Sequence, residues 1–143
     1  MGSSVLAAHE LYRSLAVLAV AASCLATTCH APVGFEIRGD LESGVVFGIA
    51  DLTADNGVAV EEIVVGQVAG EEFWRVQGHA KLERLVYGES LQGLAVKAGP
   101  VPLQPDQAYY VIVKGDSAWG REAWGRCTFF LDQAGRVQTE PGC

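Results

Sequence analysis

The chain has 143 residues, half of them apolar, with 17 acidic side chains against 10 basic ones and a formal net charge of -7. That length is one domain's worth, enough to bury a core without a structural metal or a dense disulfide framework. Arg38, Arg75, Lys81, Arg84, Lys97, Lys114 and Arg136 are spaced singly. This scatter excludes both the basic stripe that nucleic acid requires and a polybasic grip on anionic lipid.

Residues 1–28 read as an export leader. Arg13 precedes the apolar run Leu15-Ala-Val-Leu-Ala-Val-Ala-Ala-Ser-Cys-Leu-Ala26, and small polar residues follow. The run is shorter than the ~20 residues of a permanent membrane span, so it fits a signal peptide and no transmembrane segment is expected in the mature protein. The small residues before a cysteine make this stretch resemble a bacterial lipoprotein signal. Cys24, after Ala21-Ala22-Ser23, matches the small-residue box but lacks the preferred leucine three positions earlier. Cys29, after Ala26-Thr27-Thr28, carries a threonine at the small position yet follows a fuller apolar run. The resemblance implies a lipid on one of these cysteines, with the choice open. It also implies outer-membrane attachment facing the periplasm, because Leu25 or His30 stands where an aspartate would signal retention. Without lipidation the expectation is a periplasmic or secreted protein. Residues 29–34 are then a short tether, and 35–143 the folded domain.

Four cysteines are present, and an exported chain tends to pair its thiols. Cys127 with Cys143 is one pairing and a pair using Cys29 is another. The first would staple a C-terminal hairpin around Gly135, with a loop-closure contribution on the order of 3 kcal/mol.

Beyond the tether, β-branched and aromatic runs recur with Gly, Pro, Asp and Asn between them, and no stretch keeps a helical period for three turns. The pattern is that of an all-β sandwich or barrel. Strands are expected near 34–38, 45–52, 58–68, 72–78, 82–88, 92–97, 108–115, 125–132 and 136–140. Asp55-Asn56-Gly57 offers positive-φ residues, which predicts a hairpin joining Val45–Leu52 to Val58–Val65. In the second of these runs Val58 and Val60 have one parity, Ile63 and Val65 the other. A bulge near Glu61 and Glu62 reconciles them. Trp74 and Val76 alternate with Arg75 and Gln77, placing the tryptophan toward the core.

In Pro102-Leu-Gln-Pro-Asp-Gln-Ala-Tyr-Tyr-Val-Ile-Val113, Leu103, Pro105, Tyr109, Val111 and Val113 stand at offsets that resemble the corner entering strand F of fibronectin type III and related immunoglobulin-like sandwiches. The resemblance covers about a dozen residues. It implies that Leu103 caps the core, Pro105 turns the chain between sheets, and Tyr109 packs its ring inside while its hydroxyl reaches a nearby backbone group. The fold expected is an immunoglobulin-like antiparallel β-sandwich.

Catalytic chemistry is hard to assemble from these residues. A Ser-His-Asp triad would have to join His79 to Ser43, Ser90 or Ser117, and no Gly-x-Ser-x-Gly elbow exists, since Gly88-Glu-Ser-Leu-Gln-Gly93 has its serine one position short. His79 reads instead as a polar residue at a strand end. Asp51-Leu-Thr-Ala-Asp-Asn-Gly57 lacks the alternating ligands and distant glutamate of a calcium loop. No cofactor, metal or enzymatic activity is expected.

Asp116–Arg126 repeats Ala-Trp-Gly-Arg. In the sandwich reading it is the loop between strands F and G, where Trp119, Arg121, Trp124 and Arg126 have the composition of interface anchors, with Trp124 alternatively belonging to the next strand. The functional expectation is a non-catalytic structural or interaction module of the cell envelope, meeting an envelope protein and touching the membrane only through its lipid. A glycan or small ligand bound at Trp119 and Trp124 is the alternative, and a hydrolase ranks third.

Overall fold

The computed structural model describes residues 31–52, 57–118, 120–141 and 143. The leader, Cys24, Cys29, the Asp55-Asn56 pair and Trp119 lie outside them. Among the described residues the chain is all-β, with nine strands and no helix: β1 (Ala31–Asp40), β2 (Gly44–Asp51), β3 (Val58–Gln67), β4 (Glu72–Leu82), β5 (Arg84–Val86), β6 (Leu94–Ala98), β7 (Gln107–Asp116), β8 (Glu122–Leu131) and β9 (Val137–Thr139). All nine expected strands occur in order. β1 starts inside the stretch expected to be tether, because Ala31 and Val33 are buried and act as core.

The strands form one mixed sheet in the order β5-β2-β1-β8-β7-β3-β4-β6, with β9 beside β8. Among the described residues its one parallel contact sets Ala31 and Pro32 of β1 beside Ala123 and Trp124 of β8. From Val33 onward β1 pairs antiparallel with β2 instead. Gly125 permits the crossing, since a Cβ there would stand 2.6 Å from the Val33 carbonyl oxygen. The sheet is strongly curled. β4 and β5 are far apart in the strand order, yet only Glu83 separates them in the chain. One residue reaches about 3.5 Å, so the sheet has to bring these strands together. Ile49 of β2 donates its N–H to the Glu83 carbonyl at 2.8 Å, which fixes the junction.

The curl packs inward-facing residues from distant strands against one another. Phe47 of β2 meets Phe129 of β8 edge-on with centroids 5.6 Å apart, and Tyr109 of β7 stacks on Phe129 at the same distance. Trp74 of β4 is fully buried and meets Tyr87 at 5.3 Å. β3 has the expected bulge: its register against both β4 and β7 shifts between Val60 and Glu62. Val58, Val60, Ile63 and Val65 therefore all lie inside.

Where the sequence predicts a hairpin of Val45–Leu52 with Val58–Val65, the structure differs. β2 pairs with β1 and β5, β3 with β4 and β7, and the connection crosses between distant strands. Both runs bury one face, so their alternation alone does not choose the strands they pair with.

At the bend before β7 Tyr109 makes a backbone contact of the kind the resemblance implies. The Tyr109 ring is fully buried, and its hydroxyl accepts from the Gln104 N–H at 2.8 Å and donates to the Gln104 carbonyl at 3.2 Å. Leu103 is buried beside it, and Pro105 is exposed on the bend. At the C-terminus, β8 and β9 pair around a turn containing Gly135, and Cys127 is bonded to Cys143 with Cα atoms 5.2 Å apart.

Candidate functional site

The turn between β7 and β8 is short and tied from within. Ser117 donates its N–H to the Arg121 carbonyl at 2.7 Å, and its buried hydroxyl accepts from the Arg121 N–H at 3.2 Å. The Asp51 carboxylate, also buried, accepts from the Ala118 N–H at 3.3 Å. Asp51 is thus a brace across to this turn. Among the described residues no three His, Cys, Asp or Glu side chains converge on a metal-binding position.

Only part of the expected loop is loop. β8 begins at Glu122, so Trp124 and Arg126 sit on a strand, while Arg121 is exposed at the turn. The alternation along β8 explains the difference: Ala123, Gly125, Cys127, Phe129 and Leu131 are buried, whereas Trp124, Arg126 and Phe130 face outward. Trp124 is 44% exposed and Phe130 39%. The Arg126 guanidinium stands 4.9 Å from the centre of the Tyr110 ring on neighbouring β7, a cation–π contact. Among the described residues Arg126 has no carboxylate partner. Tyr110 in turn lies across Gly66 of β3, where a Cβ would collide with its phenol.

Beyond Tyr110 the same outward face becomes a closed polar network. Glu62 accepts from Gln77 at 2.7 Å, Arg75 at 2.9 Å and Lys114 at 3.2 Å, and Arg75 also forks onto Glu72. The Gln77 amide, then Lys114 and Arg75, hold the Glu62 carboxyl below its usual range against the opposing push of burial. These groups satisfy one another, whereas Trp124 and Phe130 on β8 stay exposed with Arg126 between them. The sequence reading missed Tyr110, Glu62, Arg75, Gln77 and Lys114. The outward parity of β7, opposite to Tyr109, Val111 and Val113, carried the signal for Tyr110 and Lys114.

His79 is exposed on β4 with Glu61 as its partner at 3.6 Å, and among the described residues no serine hydroxyl is hydrogen-bonded to it. An open depression of about 340 Å³ lies beside the β7–β8 turn, lined by Gly57, Ala59, Lys81, Asp116, Ser117 and Ala118. No helix among the described residues is long and apolar enough to cross a membrane. No family model, curated protein or solved structure matches the chain.

Proposed function

We propose that this protein is an exported, lipid-anchored immunoglobulin-like module of the bacterial cell envelope that works by binding and not by catalysis. Two features support the sandwich reading. The β1-β2-β5 and β8-β7-β3-β4-β6 stretches of the strand order divide as the two sheets of a fibronectin type III domain do, and the Tyr109 hydroxyl closes on Gln104 as that family's corner does. Export and anchoring rest on the leader and on Cys24 or Cys29. The observation that carries the binding role is the outward face of β8, where Arg126, stacked on Tyr110 with no acidic partner among the described residues, stands in line with exposed Phe130. A cationic fork among aromatic rings is the composition of an interface centre. Cross-linking and recovery from intact envelopes with the wild-type chain and with Arg126→Ala/Phe130→Ala tests it. A partner band lost in the double variant is expected, and equal recovery from both chains sinks the reading.

The exposed Trp124 ring favours a second reading, a glycan stacked on that face. A glycan screen that shifts tryptophan fluorescence in the wild type, and not in Trp124→Phe, would select it.

A further inference from the structure

The end of the domain that carries Trp124 is also the end where the described chain begins, and this juxtaposition has a physical consequence. Pro32 lies beside Trp124 in the parallel contact, both side chains outward, while their neighbours Ala31 and Ala123 are buried. Leu52 donates its N–H to the Pro32 carbonyl at 3.1 Å and lays its side chain over Gly34, whose Cβ would stand 2.6 Å from it. Leu52 is nevertheless 66% exposed. Leu52, Pro32 and Trp124 therefore form one outward apolar strip at this end. Cys29 lies two residues before Ala31, so its reach is at most about 7 Å, and that of Cys24 about 25 Å, while a ten-residue strand runs about 33 Å.

We propose that the Leu52–Pro32–Trp124 strip rests on the lipid bilayer, with Trp124 at headgroup depth, so that the domain stands upright on its anchor with a fixed orientation. This rests on the lipid-anchored reading above and names that end's partner. Tryptophan is the side chain that favours the membrane–water boundary, through an apolar ring and a polar N–H. The charge distribution agrees. The opposite end holds Asp40, Glu42, Glu71, Asp106 and Asp132 against Arg136, whereas the described residues of the strip's end mix Lys81 and Arg121 with Glu83, Asp116 and Glu122. The more acidic end therefore points away from an anionic surface. A contact too weak to recruit the free protein suffices here, because the anchor holds the strip at high effective concentration. Arg126 to Phe130, farther along β8, stay clear for a protein partner.

The test uses the full chain purified from bacterial membranes and reconstituted into phosphatidylethanolamine–phosphatidylglycerol vesicles, with or without bromine-labelled acyl chains. Trp119→Phe leaves Trp74, buried in the core, and Trp124 as the fluorophores. Bromine should roughly halve the Trp124 emission, as for a ring at the interface. Trp119→Phe/Trp124→Phe should show only the unquenched emission of Trp74, which also reports that the core is intact. Intact mass of the same sample separates the two ideas. A diacylglycerol increment with no quenching overturns the membrane contact and leaves the anchored module standing, whereas absence of the increment removes the anchor and the contact with it.

Discussion

At its start β7 is secured by a side chain, the buried Tyr109 ring stacked on Phe129 with its hydroxyl closed on Gln104. At its end the chain leaves β7 through a turn held by backbone bonds, the Ser117 hydroxyl and the Asp51 brace. The first end is held by a ring in the core, the second by hydrogen bonds within the turn and one to Asp51 of β2. A turn held by hydrogen bonds needs no large apolar side chain of its own, and exposed Trp124 and Arg121 lie at this second end. The buried ring stack thus lies at one end of β7, and the exposed Trp124 and Arg121 lie at the other.

The contrast breaks most visibly at Tyr109. Tyr109→Ala empties the centre of the ring stack and should cost about 3–5 kcal/mol in a urea titration, a large fraction of the stability of an ordinary domain. Removing the Cys127–Cys143 bond with paired alanines should cost less, about 3 kcal/mol for its 16-residue separation, read as a lower thermal midpoint. Ser117→Ala, at the turn, should cost only about 0.5–1.5 kcal/mol, the range for one buried hydrogen bond. A loss at Ser117 as large as that at Tyr109 would show the turn to be as integral to the core as the corner.

Much of this architecture was legible because it is local. Period-two alternation located the strands, the parity change between Val60 and Ile63 exposed the bulge, and the resemblance at Leu103, Pro105 and Tyr109 pointed to the hydroxyl contact at the bend. Pairing was less legible. Asp55-Asn56-Gly57 read as a hairpin because turn chemistry is the same whether the next strand folds back or crosses to distant neighbours. The repeated Ala-Trp-Gly-Arg drew Trp124 toward a loop, although the small Ala123 and Gly125 between larger side chains already spelled a strand; Arg126 fell inside the expected strand at 125–132. The Arg126–Tyr110 stack and the Glu62 network depend on which strands lie side by side, and that is decided by the whole core.

The junction at Glu83 has a further bearing on how the molecule assembles. With one residue between β4 and β5, there is no slack to let two halves condense separately and dock afterwards. Closing β3–β4 delivers β5 to β2 at once, and a register slip in one pairing strains the other. Such obligatory coupling between remote pairings puts this chain among slow folders, on the order of milliseconds to seconds. It also makes a glycine insertion beside Glu83 the gentlest way to loosen the whole.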